Sequence, residues 1–373
     1  MKSSTYTWVH ESLLTPTLVV DLGVARGNIA AALAQIGSPK RWRPHVKTAK
    51  VPEVMALYLD AGIRRFKCAT LREAAVLAAC RSTKSGAGAD DVLVAHHLFG
   101  PALTWLDELA REHPSIRFST LAEAATQVSA IPASIGIFAD LDLGMHRTGL
   151  AIEANAELLA IAERSGARLR GLHAYDGHRH EADLTERERL AHVGYDRLVN
   201  SHAELAAAGF GSLELITSGT PAYPAALSHG GLGALEHSVS PGTVVYHDLR
   251  TREQLPGHPI DFAATVLTRV ASLPSQDLFT VDAGSKAIEA ASPRLIAQAL
   301  ELPHAIAVSQ SEEHTVFRCD PDARPQRGDL VRLVPGHVCP TVNLASTCLL
   351  VEDGESLGWA PVAARGHGPP GAI

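Results

Sequence analysis

Cysteine is scarce in this chain. There are five in 373 residues (Cys68, Cys80, Cys319, Cys339 and Cys348), odd in number and scattered. That pattern excludes a disulfide framework of the kind that supports small secreted domains, and it fits a reducing cytosol. No stretch approaches the ~18–20 uninterrupted apolar residues of a membrane-spanning helix, so no membrane association is expected. The opening MKSSTYTWVHESLL has no long apolar core ahead of a small-residue cleavage site. It is not read as a secretory signal, and a cytoplasmic location is expected. No run of Lys and Arg stands out, and the formal net charge is −7. Such a surface gives phosphate backbones little attraction, so nucleic acid is not an expected partner. An internal repeat is also lacking. With 46% apolar and 20% charged residues, nothing suggests disorder. Histidine, by contrast, is plentiful at 19, which tilts weakly toward metal or acid–base chemistry.

What is present is a rhythm. From about residue 16 to 240, short β-rich runs alternate with helical stretches. The runs are TLVVD (17–21), WRPHVK (42–47), FKCAT (66–70), DVLVAHHL (91–98), RFSTL (117–121), IGIFADLDLG (135–144), LRGLHAYDG (169–177) and LELITSG (213–219). Parallel strands with crossover helices produce this order, and eight of them closing on themselves make a TIM-type (β/α)8 barrel. A doubly wound open sheet has the same periodicity. The strand runs are apolar nearly throughout, as burial on both faces requires. Polar residues gather at their C-terminal ends: His45 and Lys47, His96 and His97, Asp140 and Asp142, His173 and Tyr175, Thr217 and Ser218. In a barrel that end carries the active site. After about residue 245, strand-like runs follow one another with Gly, Pro and Asp turns and little helix. The expected division is therefore a barrel over 16–245 and a mostly antiparallel β domain over 246–373, to which residues 1–15 attach. The last residues, ARGHGPPGAI, read as an irregular tail.

Four constellations carry chemistry. Lys47 stands at a strand end in RPHVKTAK. It is either a surface lysine or an amine whose pKa desolvation and neighbouring positive charge would lower, as imine formation needs. Ser218-Gly219-Thr220 and Ser240-Pro241-Gly242-Thr243 are either ordinary turns or phosphate cradles in which backbone N–H groups approach an oxyanion. Barrel phosphate sites form after the last strands, where both loops fall. Arg147, in Asp142-Leu-Gly-Met-His146-Arg147-Thr148-Gly149, is a partner for a pyridine nitrogen or part of a helix-starting turn with a salt bridge. His173 and Tyr175, in the next strand end, either flank a ring or are buried and satisfied. Finally, His337 and Cys339 are two apart. On a strand they would face one side and could reach one ion, such as zinc, in an open site; otherwise they are a chance pair.

Taken in order, TPTLVVD, RPHVKTAKVPEV, FKCAT, DLDLGMHRTG, GLHAYDGH, SGTP, SPGT, DAGSKA and PGHVCPTVN resemble the fold-type III pyridoxal-phosphate enzymes of the D-threonine aldolase and D-serine dehydratase family. The likeness spans most of the chain. It implies an alanine racemase-like barrel whose β domain can take in the first strand, and a homodimer. It implies pyridoxal 5'-phosphate held on Lys47, with His45 and Tyr175 beside it as catalytic residues. Arg147 would face the pyridine nitrogen, and His173, Tyr175, Ser218, Gly219, Thr220, Gly242 and Thr243 would surround the cofactor. His337 and Cys339 would bind a divalent metal (Mn2+, Zn2+ or Mg2+) near a β-hydroxyl. Ala49 departs from the family's usual KTHK.

The implied substrate is a small D-β-hydroxy-α-amino acid. Breaking Cα–Cβ makes an aldolase that yields glycine and an aldehyde. Removing the α-proton and losing hydroxide makes a dehydratase. DLGMHRTG with HAYDGH leans toward the aldolase, and Cys339 toward the dehydratase. A non-catalytic cofactor carrier would be a single barrel, and a racemase would not need the metal pair.

Overall fold

The computed structural model describes residues 12–368. The expected attachment of residues 1–15 lies largely outside them, as does the end of the expected tail. Two compact units divide the chain. One comprises the residues up to Ala32, Thr48–Leu57 and Thr243–Gly366; the other comprises Leu33–Lys47, Tyr58–Gly242 and the residues from His367 on.

The second unit is the parallel barrel. Strands Arg65–Cys68, Asp91–Val94, Arg117–Ala122, Gly136–Asp142, Leu169–Ala174, Glu214–Thr217 and His237–Val239 pair in that order, all parallel. The expected strand over 42–47 is not a laddered strand. Pro44 has no N–H to give, so the segment is held by isolated bridges. Trp42 pairs with Val239, and His45 pairs with Lys67, both parallel. The backbone bonds are Arg43 N–H to Val239 O at 3.0 Å, Val46 N–H to Lys67 O at 2.9 Å and Lys67 N–H to Pro44 O at 3.0 Å. The segment thus takes the eighth place and closes the ring. Helices such as Leu71–Ala79, Pro101–Glu112 and Leu184–Ala207 form the crossovers.

Leu93, Leu121, Phe138 and Ile216 cluster inside this barrel. Near the N-terminal ends of the strands the filling turns ionic. The guanidinium of Arg43, fully buried, bonds Asp91 at 2.6 Å and Glu214 at 2.7 Å. It also donates to the Phe66 carbonyl at 3.3 Å, and Ser238 donates to Glu214 at 2.6 Å. Burial opposes the charge on Arg43, but the two carboxylates outweigh it and hold the guanidinium above its ordinary range. The barrel is therefore closed at this end by matched charges, each dependent on the others.

The first unit is built on a mostly antiparallel sheet. Ala264–Ser275 is its longest strand and pairs with Thr17–Asp21, Leu278–Val281 and Leu330–Pro335. Thr17–Asp21, first in the barrel-like rhythm, belongs here and not in the barrel. It pairs antiparallel with Ala264–Ser275 and parallel with Thr347–Glu352. Packing explains the choice, because Val19, Leu267, Leu349 and Val351 form one buried cluster. A larger core includes Phe279, stacked on Phe317 at 5.2 Å between centroids. Among the described residues no helix is long and apolar enough to cross a membrane.

Replacing Arg43 with Met should leave Asp91 and Glu214 without their shared buried cation, only the more exposed Arg65, Arg117 and Arg170 remaining near them, and cost about 3–5 kcal/mol of stability. A urea titration reads this directly. A loss under about 1 kcal/mol would show that the ionic cluster contributes little beyond filling space.

Candidate active site

Parallel strands that close a barrel all point their C-terminal ends the same way, and in this unit they open on a cavity of about 590 Å³. His45 and Lys47 reach it from the closing segment, Lys67 from Arg65–Cys68, and His96 and His97 from the end of Asp91–Val94. Arg147 and Thr148 enter from the loop after Gly136–Asp142, and His173 and Tyr175 from Leu169–Ala174 and its extension. The structure therefore brings together His45, Lys47, Arg147, His173 and Tyr175 as the sequence led us to expect.

Tyr175 is the hub. Lys47 Nζ stands 5.9 Å from its ring centroid, Lys67 Nζ 5.5 Å, and Arg147 Cζ 4.8 Å. Each cation gains from the ring's negative face. The ring is held in place by its own loop. A Cβ on Gly177 would come within 2.4 Å of it, so only glycine lets the chain fold back there. Arg147 sits in a turn, not a helix start. Asp142 accepts from the N–H groups of Gly144, Met145 and His146, and Gly144, His146 and Gly149 have positive φ.

Beneath the cations lies a carboxylate with two imidazoles. Asp140 Oδ1 is 2.6 Å from His173 Nδ1, and its Oδ2 is 3.1 Å from His97 Nε2. Burial works against the Asp140 charge, but His173 and His97 outweigh it and hold the carboxyl below its usual range. His97, Glu123 and Asp140 offer ligand atoms within 4.8 Å of one another. Their oxygens are already engaged, however, since Glu123 also accepts from the Gly149 N–H at 2.6 Å. Lys67 is the group the sequence reasoning missed. Burial and the Lys47 cation push its amine down to about 7, against the pull of Asp176 and Asp140. Its signal was a lysine within the strand RFKC, all of which but the leading Arg65 is buried.

The two candidate phosphate loops differ. Ser218 adopts φ +52° and is fully buried. The Gly219 N–H points to Asp176 Oδ1 at 3.3 Å, and Thr220 is buried beside it in the chain. Asp176 was not anticipated either. Burial pushes its carboxyl up to about 6, although Tyr195 and Gly219 donate to it. An approaching anion would drive it further toward the neutral form, so it yields rather than repels. In the second loop the Ser240 hydroxyl is buried with no protein partner. Gly242 ends this unit, and Thr243 begins the other.

His337 and Cys339 belong to the other unit, and the expected strand geometry is corrected there. Leu330–Pro335 ends before them, His337 is the N-cap of helix Val338–Leu344, and Cys339 lies in its first turn. A Cβ on Gly336 would strike the Leu295 carbonyl oxygen at 2.1 Å, so only glycine fits where the chain passes from strand to helix. Pro340 suits a first helical turn, and Gly followed by Pro four residues on was the readable signal. The two side chains still meet. Burial disfavours a charged His337, but Cys339 and Asp248 raise its pKa, the thiol through a hydrogen bond. Cys339 Sγ also lies 3.1 Å from Thr48 Oγ1 and 3.6 Å from Thr243 Oγ1. Imidazole beside thiol is a donor set that zinc and related ions accept.

Comparison with known proteins agrees with this geometry. Residues 20–249 match the model of the alanine racemase N-terminal domain, and residues 263–351 match that of a putative serine dehydratase domain. A D-threonine aldolase of Arthrobacter sp is 29% identical, over 94% of this chain and 93% of that one. D-threo-3-hydroxyaspartate dehydratase of Delftia sp. (strain HT23) is 26% identical, over 93% and 97%. The crystal structure of a D-threonine aldolase from Filomicrobium marinum has a TM-score of 0.80 at 24% identity, covering 95% of this chain and 96% of that one. A cysteine-to-alanine variant of the dehydratase, solved in a metal-free form, has a TM-score of 0.79 at 25% identity, covering 96% and 99%. The chain belongs to the alanine racemase N-terminal domain family, a class of pyridoxal-phosphate barrels. Within it, the chain is a member of the fold-type III group of D-threonine aldolases and D-serine dehydratases, and it is a lyase.

The residues present fit such a cofactor. The cavity holds two amines and a guanidinium around one ring, and the loops after the last two strands carry a buried hydroxyl without a protein partner, that of Ser240, and a glycine, Gly219, whose Cβ would press Tyr175 at 3.0 Å. Gly177→Ala should displace Tyr175 and weaken pyridoxal-phosphate retention at least about tenfold, near 1.4 kcal/mol. Equilibrium dialysis measures this, and an unchanged affinity would show that Tyr175 does not support the cofactor.

Proposed function

We propose that this lyase is a pyridoxal-phosphate- and divalent-metal-dependent D-threonine aldolase that cleaves D-β-hydroxy-α-amino acids to glycine and an aldehyde. The observation that carries this reading is the likeness to the Arthrobacter aldolase along 94% of this chain. In this reading Lys47 would hold the cofactor. The bound cofactor supplies an electron sink for a bond broken at Cα. Tyr175 would support the cofactor, Arg147 would serve its pyridine nitrogen, and His173 would serve its ring. Ser218, Gly219, Thr220, Gly242 and Thr243 would belong to the surroundings of the cofactor and its phosphate, and His45 would act beside Lys47, whose backbone N–H lies 3.5 Å from His45 Nδ1. His337 and Cys339 would hold Mn2+, Zn2+ or Mg2+, whose chemistry is to acidify or polarise an oxygen. Two protein ligands leave positions open for it. We also propose a homodimer that works in the cytoplasm.

A second reading, a D-serine or D-threo-3-hydroxyaspartate type of dehydratase, is favoured by Cys339. A D-threo-3-hydroxyaspartate dehydratase with one cysteine replaced by alanine is among the similar structures, solved in a metal-free form.

Incubation with D-threonine and with D-serine separates the two. Acetaldehyde with glycine is expected, whereas 2-oxobutyrate or pyruvate would transfer the protein to the dehydratase reading. Elemental analysis tests the metal: His337→Ala and Cys339→Ala should each purify with metal at background. Variants that keep a full complement would move the metal elsewhere.

A further inference from the structure

Lys67 is the amine in the cavity to which the proposed reaction gives no part. It stands near the end of Arg65–Cys68, paired with His45 of the closing segment, and is only 2% exposed. An ammonium buried this far is costly unless something answers it. Its Nζ lies 3.4 Å from His173 Nε2, and His173 Nδ1 lies 2.6 Å from Asp140 Oδ1. The carboxylate takes the Nδ1 hydrogen, so Nε2 presents its lone pair and Lys67 donates to it. The same Nζ stands over the ring that Lys47 overlooks, at 5.5 Å against 5.9 Å. Two amines on neighbouring strands therefore serve one cavity.

We propose that Lys67 is a further functional residue of this site: with His173 and Asp140 it holds an exchangeable proton beside the cofactor that Lys47 carries. The inference rests on the cofactor reading above. The groups facing Lys67 set its direction. Lys47, on the closing segment, and Arg147, after Gly136–Asp142, repel its proton. Asp140, on that strand, and Asp176, after Leu169–Ala174, attract it. His45 and His97 line the same cavity. Burial leads, the Lys47 cation adds to it, and the amine comes down to about 7, where it can gain or lose a proton under ordinary conditions. A phosphate-bearing, phenolic ligand adds negative charge and raises that affinity for protons. Only an N–H bond changes in the step: a solvent proton joins Nζ as the ligand enters and leaves as pH rises.

The test is the absorbance spectrum of the holoenzyme followed across the neutral pH range. The wild type should show a transition at or above about 7. Lys67→Met should abolish it or move it by about one unit or more, a tenfold change in proton affinity. Lys67→Arg, similar in length and permanently charged, should abolish it too and serves if the Met variant does not fold. Asp140→Asn should lower the midpoint, since a negative charge that attracts the proton is gone. A midpoint unmoved in both Lys67 variants overturns the proposal. Borohydride reduction followed by peptide mapping separates the two levels. Cofactor fixed on Lys47 with an unmoved midpoint sinks only the role of Lys67. Cofactor absent, or fixed elsewhere, sinks both.

Discussion

Three cationic side chains, those of Lys47, Lys67 and Arg147, are delivered to one cavity because the strands that carry them run parallel and end together. Like charges at such range repel, and burial makes the repulsion worse. The fold answers in three ways. An aromatic face, Tyr175, lies under all three. A carboxylate, Asp140, is anchored from both sides by histidines so that it stays ionised. And one amine, Lys67, is allowed to shed its proton. Each answer depends on the others: without Asp140 the imidazole of His173 has no fixed tautomer, and without Tyr175 the cations share no common surface. A cavity left with a surplus of positive charge is one that an anionic ligand completes.

The opposite end of the barrel solves the inverse problem. There Arg43 sits between Asp91 and Glu214, both at strand beginnings, and Arg65, Arg117 and Arg170 supply the rest of the positive charge. One end is balanced internally and is finished; the other is unbalanced and open. This polarity is what separates structure from chemistry in a barrel, and it comes from the direction of the strands more than from any single motif.

Much of this was legible in the sequence. The alternation of apolar runs with helices announced the barrel, because parallel strands buried on both faces have little freedom in composition. The residues at strand ends announced the site, because period and direction together say where they point. Pairing partners were less legible. By its pattern Thr17–Asp21 reads like any barrel strand; the family resemblance allowed it a place in the β domain, and the cluster of Val19 with Leu267, Leu349 and Val351, nearly 250 and 330 residues away in sequence, is what draws it into that sheet. The segment 42–47 reads as a strand but cannot ladder through Pro44. The His337–Cys339 spacing was read with a strand's period although Gly336 and Pro340 mark a helix start. Lys67 and Asp176 were hidden for a different reason. A charged residue in a buried run is visible in sequence, but whether it is paired, neutral or exposed depends on neighbours from three other strands.

The interleaving of the two units bears on how the chain is made. Thr17–Asp21 leaves the ribosome early, yet both of its edges wait for partners at Ala264–Ser275 and Thr347–Glu352. At about 5–20 residues per second that wait lasts many seconds. Meanwhile the barrel, made almost entirely of residues before 243, has all its strands available. Nascent chains should therefore pass through a stage in which a finished barrel trails an orphaned apolar strand. That is the sort of exposed edge on which chaperones and neighbouring polypeptides both seize.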